Sequence, residues 1–518
     1  MTEVKSGSSK NKWIALIAMS LGVFMALLDV TVVNVALPTM AVDFNTTFSN
    51  LQWVLNAYTI VFASILLIVS KLGDMYGRKK IFMISMVIFV VASAINGLAT
   101  SLPVLIAGRA LQAIGGAGLN SLSMALVASN FEGKSRGTGM GILGSVIGLS
   151  TASGPLVGGY LVETFGWPSI FFVNVPIGII AFALSWKYVK ETPSYGKGQK
   201  IDFLGMLLSG AGLFTLVYGL IEKEQHFNWG WTDPRVMGWL LAGVVLLVVF
   251  VLVELKSKHP MMNLKLFKHV NLVGAIFVAF ALGAGVYAIN AYLTTMMQNY
   301  MGYSAFSTGV HQLVMSIWAL LLGPITGRLG NRYSKRWMIA GFLGLGVVAY
   351  LVLALMITPN ITFNELVPGL VLLGISNAMV NPLVNNAGLE GIEPSETGMA
   401  SGIMNVFRQF GVTVGIVMLG LTQSNKYEDY VNGHWSGLNL PVQMSDGLHD
   451  AFTNAGPFAG HTIAYNSRLA SLPQIGQLRD MILHAYNHSM VAIFIAAAIV
   501  MAIGAVAAGL LMRDSKEN

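Results

Sequence analysis

About 20 consecutive, mostly apolar residues suffice to cross the hydrocarbon core of a bilayer as a helix. This chain contains fourteen such runs, at 12–37, 50–70, 80–99, 103–127, 137–161, 168–188, 203–222, 235–255, 270–295, 305–329, 336–357, 363–389, 396–422 and 486–512. Only 10% of its residues are charged, against about 25% in soluble domains. The chain is therefore an all-α integral membrane protein. Its connections are mostly short and it carries 57 glycines, which suits close helix–helix approach in a bundle. The basic N-terminal stretch before residue 12 is short. The run after it is too long for a signal-peptide core and reads as a retained first span.

Lys and Arg in short loops set orientation. With the N-terminus inside, 23 of the 30 basic residues fall on the cytoplasmic side, in clusters such as Lys71–Lys80, Lys256–Lys268 and Arg328–Arg336. That asymmetry assigns the net charge of +7 to membrane orientation rather than to nucleic acid. An even number of spans places both termini in the cytoplasm. The 12–13 connection departs from the pattern, with Glu390, Glu393 and Glu396 and no basic residue.

The sequence repeats. Ser70–Lys79 reads SKLGDMYGRK and Gly327–Arg336 reads GRLGNRYSKR, an offset of 257 residues that also superposes the starts of spans 1, 4 and 5 on those of spans 9, 12 and 13. The expected organisation is a cytoplasmic tail 1–11, a six-helix half 12–190, an inserted helix pair with its loops 191–268, a second six-helix half 269–512 that includes an extracellular loop 424–485, and a cytoplasmic tail 513–518. Duplicated halves of this kind form one large class of secondary transporter, with the substrate site between them near the midplane.

Within the spans, charges are rare. Asp29 lies in the first, at a cost of roughly 2.5–3.5 kcal/mol on insertion scales. Counted from the outer helix ends, Asp29 is about 12 Å deep and Arg109 of the fourth span about 9 Å deep. Opposite charges at one level are expected to couple, directly or through Gln112 or Asn34, because either alone would be costly. A paired Asp can act as a proton switch, since desolvation and a nearby Arg push its pKa in opposite directions. Around Val286 and Tyr287, the counterpart of Asp29 in the repeat, there is no acid. Glu254 and Glu390 fall near cytoplasmic ends, and Glu163 and Glu365 near outer ends. Glu390 is the second-choice acid, or a solvated loop-end residue.

Asp74 and Arg78, in the connection between spans 2 and 3, are one helical turn apart. They form an expected latch, by (i, i+4) pairing or by Asp74 facing a helix N-terminus. Gly154, Pro155, Gly158 and Gly159 lower helix propensity in the fifth span and permit a bend or close packing. The expected substrate cavity is lined by Asn34, Trp53, Tyr58, Gln112, Tyr287, Asn290, Gln312, Trp318, Asn377, Asn381, Asn405, Phe407 and Arg408, with Gln409 beside them. Asn377, Asn381 and Asn385 recur every four residues as a polar stripe that faces protein or water. Aromatic rings near a carboxylate suit lipophilic cations. Arg408, near the midplane, is expected to pair with carbonyls or the asparagine stripe, or to attract anionic groups.

There are no cysteines, which excludes disulfides and thiolate metal sites. No phosphate-binding glycine loop, His-rich zinc pattern or nucleophile elbow is present, so neither ATP hydrolysis nor another enzymatic activity is expected. No metal or other cofactor is called for.

With these residues in view, the chain resembles the fourteen-helix drug:proton antiporters of the major facilitator superfamily, the QacA/EmrB-like group. LDVTVVNVALP is similar to the group's first-helix motif and places Asp29 at its protonation position. SKLGDMYGRKK is similar to the loop 2–3 motif, with Ser70 where glycine is usual. RALQAIG is similar to the fourth-helix motif, with Ala113 in place of glycine. GPLVGG is similar to the antiporter motif of helix 5. FFVNVPIG also matches, although the preceding Trp167–Ser169 lacks the usual Arg-Trp. The resemblance implies the major facilitator fold and a monomer in the bacterial plasma membrane. It implies export of amphipathic, cationic small molecules by alternating access, driven by the proton gradient. Two other readings stand beside it: a proton-coupled exporter of a lipid, fatty acid or metabolite, in which Arg408 matters more than Asp29, and a non-transporting membrane sensor or scaffold.

Overall fold

The computed structural model describes residues 9–46, 48–131, 134–194, 201–226, 229–257, 259–358, 361–438, 445–453, 456–457 and 474–514. The ends of both tails, the parts of the expected loop at 439–444 and 458–473, and six of the 30 basic residues used for orientation (Lys5, Lys197, Lys200, Lys258, Arg468 and Lys516) lie outside the described residues.

Among the described residues every regular element is helical. In chain order they are α1 (Ser9–Asp43), α2 (Phe48–Tyr76), α3 (Arg78–Gly97), α4 (Leu102–Asn130), α5 (Lys134–Phe165), α6 (Ser169–Tyr188, interrupted at Val173), α7 (Phe203–Gln225), α8 (Pro234–Lys256), α9 (Val270–Tyr300), α10 (Ala305–Leu329), α11 (Lys335–Met356), α12 (Phe363–Gly388), α13 (Thr397–His434) and α14 (Ile475–Leu511). Thirteen are long and apolar enough to cross a membrane, and α5 makes fourteen if its two bent halves count as one span. Starts are marked by side-chain caps. Asp202 accepts from Gly205 N at 2.8 Å, Ser334 from Trp337 N at 3.2 Å, and Thr362 with Glu365 forms a capping box.

Two helices outrun their expected spans by the most. α13 has 38 residues and α14 has 37, about 55 Å each at 1.5 Å per residue, against a hydrocarbon core of about 30 Å. The expected loop 424–485 is thus helical at both ends. Lys426, Glu428, Asp429, Arg479 and Asp480 end the apolar windows. Beneath them, however, Tyr427, Val431, Leu478, Ile482 and Ala485 repeat at helical spacing and bury one another with Leu438 and Phe452. Ile475–His484, inside that expected loop, is the start of α14.

The packing follows the sequence repeat. α1 packs on α5, α2 on α4, α3 on α4 and on α6; α9 packs on α13, α10 on α12, α11 on α12 and on α14, in the same relative order. Two seams join the sets, α2 with α13 and α5 with α10, the latter being the most extensive contact in the molecule. α7 lies against α2, α13 and α8, while the apolar surface of α8 is mostly exposed, as a lipid-facing helix requires. We regard the two sets as six-helix units, with α7–α8 as an added pair.

The start of α1 and the end of α14, among the described residues, lie on one face. Trp13 packs on Phe131 at 5.3 Å, Arg136 donates to Leu389 O at 3.2 Å, Lys335 pairs with Glu390 at 2.8 Å, and Ser334 bonds Asp514 at 2.5 Å. This is called the terminal face below. Glu390, held there by Lys335 and partly exposed, is a loop-end ion pair remote from the bundle centre.

Candidate functional site

Asp29 is 2% exposed and Arg109 1%. They form a direct ion pair between α1 and α4, the two helices whose depth count set them level. The carboxylate has further partners. Its Oδ1 accepts from Gln112 Nε2 at 2.9 Å and from Asn174 Nδ2 at 3.0 Å. Gln112 also donates to Ser93 at 2.7 Å, and its Oε1 accepts from Asn96 at 2.8 Å and from Arg109 at 2.7 Å. Arg109 Nε donates to Val54 O at 3.2 Å. Two side chains, Gln112 and Asn174, and a backbone carbonyl thus satisfy a buried charge pair, with Ser93 and Asn96 holding Gln112 in place, the condition under which such a pair is tolerated. Asn34 takes no part: it donates to Val30 O at 3.3 Å and is exposed. Ser93, Asn96 and Asn174 were missed by the sequence reading. Their signal was present as isolated polar residues in apolar spans, Ser93 and Asn96 one turn apart, and Asn174 beside the interruption of α6.

Tyr58 lies against this network. Its ring is 4.4 Å from the Arg109 guanidinium, and its buried hydroxyl has no hydrogen-bond partner. Tyr58 also lines a cavity of about 500 Å³. This cavity runs from Asn120 and Asn405, in mid-bundle, to Leu37 and Asn299 near the ends of α1 and α9 away from the terminal face.

Of the expected lining, Asn34, Tyr58, Tyr287, Asn290, Gln312, Asn405, Arg408 and Gln409 are on its wall. The rest face elsewhere. Trp53 lies 5.9 Å from Tyr218 of α7, in a cluster with Ile60, Ala63, Val217 and Ile221. The added helix pair covers that side of α2. Gln112 is sealed in the Asp29 network. Trp318 packs beside Gly374 of α12, and Phe407 against the main hydrophobic core. Asn377 and Asn381 stand one layer behind the wall: Asn381 donates to Tyr287 Oη at 2.9 Å and to Asn377 Oδ1 at 2.6 Å. Asn385, the third of the stripe, accepts from Arg408 at 2.8 Å.

Asn120, Thr31, Thr59, Thr294, Thr295, Gln298 and Asn299 line the cavity without having been singled out. On α9 the signal was legible. Tyr287, Asn290, Thr294 and Gln298 share one helical face, and Gln312 donates to Thr294 at 2.8 Å. Wide π-type turns at Gly283–Tyr287 and Met296–Tyr300 bracket this face, a distortion common at functional sites.

The helix-5 glycines both bend and pack. α5 turns by 46° between Ser135–Ser150 and Ser153–Phe165. A side chain at Gly154 would overlap Thr31, and one at Gly158 would press on Val32 at 3.2 Å. Gly159 is buried, and Pro155 lines the cavity.

At the terminal face Asp74 and Arg78 pair at 2.7 Å, both buried. Asp74 Oδ2 also accepts from Met399 N at 2.8 Å in the first turn of α13, and Arg78 donates to Pro394 O at 2.6 Å. Gly77, at φ +106°, makes the turn that places Arg78 there. Asp74 therefore sits at the positive end of a helix from the other six-helix set. Nearby, Ser401 Oγ donates to Ser121 O at 2.8 Å, Ser121 bonds Ser70, and the backbones of Gly137 and Gly327 are in contact. Both seams are thus closed below the cavity.

The chain matches the family model of the Major Facilitator Superfamily over residues 19–416. It is 33% identical over 413 residues to the multidrug resistance protein Stp of Mycobacterium tuberculosis (strain CDC 1551 / Oshkosh), covering 80% of this chain and 76% of that one. It is 30% identical over 445 residues to the tetracenomycin C resistance and export protein of Streptomyces glaucescens, covering 84% and 80%. Among solved structures, the human organic anion transporter MFSD10 matches in fold, with a TM-score of 0.58 at 14% identity over 95% of this chain and 99% of that one.

Proposed function

The chain belongs to the major facilitator superfamily, and from that premise we propose that it is a proton-coupled antiporter exporting amphipathic small molecules across a bacterial plasma membrane by alternating access. Members of this family are transporters, not enzymes, and relatives named for multidrug resistance and antibiotic export support the direction. The terminal face is taken as cytoplasmic. A single observation carries the coupling. The only ion pair buried in mid-bundle among the described residues, Asp29–Arg109, is divided from the cavity by Tyr58, which touches both.

The mechanism follows from that wall. With the terminal face closed and the cavity leading to the opposite face, a proton arriving at Asp29 removes the carboxylate charge. Arg109 then loses its counter-ion and keeps Gln112 and the Val54 carbonyl, so the guanidinium and the Tyr58 ring over it are free to shift. That shift reaches the cavity wall, and it favours separation of Asp74 from the N-terminus of α13. In the inward-open state substrate enters and Asp29 releases its proton to the cytoplasm. Return carries substrate out. Proton and substrate thus use adjacent places and opposite directions, as antiport requires.

The test is uptake into everted membrane vesicles energised by a proton gradient, with ethidium, tetraphenylphosphonium and 1-pyrenebutyrate as probes. The wild-type chain accumulates at least one of them, and Asp29→Asn loses about tenfold or more of that accumulation. Full retention by Asp29→Asn, or no accumulation of any probe, sinks the reading.

A further inference from the structure

Arg408 is the only charged residue on the cavity wall among the described residues. It is 8% exposed and, among the described residues, forms no ion pair. Its guanidinium donates to two amide oxygens, Asn405 Oδ1 at 3.2 Å and Asn385 Oδ1 at 2.8 Å, and its Nε has no partner. Arg109, the other arginine buried in mid-bundle, is provided for, with its own carboxylate, an amide and a backbone carbonyl. The contrast is chemical. A buried cation costs several kcal/mol unless it is paired, and neutral amides offset that less well than a carboxylate. The chain supplies the counter-ion at one arginine and leaves it out at the one that faces the cavity.

From this geometry we infer that the cavity takes acidic amphiphiles, with a carboxylate or phenolate on the Arg408 guanidinium. The surroundings fit that class. The buried Asn290 Oδ1 lacks a partner, so its amide is free to reorient toward a ligand, and Gln409 and the Tyr287 hydroxyl stand near by as neutral polar groups. The remaining wall is largely apolar, with Leu27, Val30, Phe62, Ile147, Val412 and Ile416, and accepts a hydrocarbon or aromatic body. No acid lines the cavity among the described residues, because Asp29 is sealed behind Tyr58. The expected preference for cations therefore has aromatic rings and no carboxylate to act with. This inference rests on the export reading for its context and deepens it by naming the substrate class.

The experiment is equilibrium binding to the purified full-length protein in detergent, without a gradient, using three probes that share one body: 1-pyrenebutyrate, 1-pyrenebutanol and 4-(1-pyrenyl)butyltrimethylammonium. The wild type binds the carboxylate about tenfold or more tighter than the alcohol, the order expected for hydrogen bonds to a charged group. In Arg408→Gln the ratio of acid to alcohol affinity falls toward one. In Arg408→Lys it lies between, because the charge remains and the fork is lost. The wild-type ratio needs no variant, so a variant that fails to fold leaves the test intact. Equal binding of acid and alcohol, tighter binding of the trimethylammonium probe, or failure of the carboxylate to bind overturns the inference. Since no gradient is present, these outcomes are separate from a failure of proton-driven uptake, which would sink the export reading instead.

Discussion

Asp74 Oδ2 accepts a hydrogen bond from the backbone N–H of Met399, 325 positions further along the chain, at 2.8 Å. The bond ties the α2–α3 connection of the first six-helix set to the first turn of α13 in the second. A carboxylate in this position at a partly buried helix N-terminus contributes up to about 2 kcal/mol, roughly thirtyfold in an equilibrium. Asp74→Asn keeps the shape and removes the charge, so the terminal face should open more often. The chain has no cysteine, so Ser401→Cys provides a unique reporter buried in that seam. Adding Asp74→Asn should raise its labelling by a thiol reagent several-fold. Equal labelling rates would show that the contact does not hold the face closed.

Removing one partner of the Asp29–Arg109 pair should cost more than removing both. Arg109→Gln leaves the carboxylate uncompensated and should destabilise by about 3–5 kcal/mol. In Asp29→Asn/Arg109→Gln much of that loss should return, giving a favourable coupling energy in a double-mutant cycle. Thermal unfolding in detergent measures it. Additive single effects would mean that the two charges are screened from one another by water.

Tyr58 separates ring from hydroxyl. Its Oη has no partner, so Tyr58→Phe should be close to wild type in stability and coupling. Tyr58→Ala removes the ring over Arg109 and joins the cavity to the charge pair, so protons should leak without substrate. Dye-reported pH decay in proteoliposomes distinguishes the two, and a tight Tyr58→Ala would remove Tyr58 from its place as the dividing wall.

Two glycines should respond with opposite signs. At Gly154 a methyl group meets Thr31, including its backbone carbon at 3.0 Å, and overpacking of this kind costs about 1–3 kcal/mol. At Gly433, late in α13, nothing lies within 4 Å, and alanine should stabilise the helix by about 0.5–1 kcal/mol. Melting temperatures of Gly154→Ala and Gly433→Ala, purified side by side, check both, and a shared sign would contradict the packing at one of them.

Several features follow from the residues alone, because each is a property of a single helix or of a repeat. Runs of about 20 apolar residues set the spans. The depth of Asp29 and Arg109 follows from counting turns, and their pairing from the cost of leaving either alone. The 257-residue offset between SKLGDMYGRK and GRLGNRYSKR foreshadows the matching order in which α1–α6 and α9–α14 pack. What one helix cannot specify is which neighbour covers each of its faces. Trp53 and Tyr58 are both aromatic residues of α2, yet one meets α7 and the other the cavity. Phe407 and Arg408 are adjacent, yet only Arg408 reaches the wall. Ser93 and Asn96 on α3 and Asn174 on α6 come from two separate stretches that only packing brings to the network around Asp29. The extension of α13 and α14 beyond their apolar windows likewise depends on Tyr427, Val431, Leu478 and Ile482 finding one another across helices. The spans, their repeat and the pairing of the charges they must neutralise are written into single helices and the duplication. The tertiary structure decided which side chains meet, since a buried group's partners depend on neighbours that helical periodicity alone does not choose.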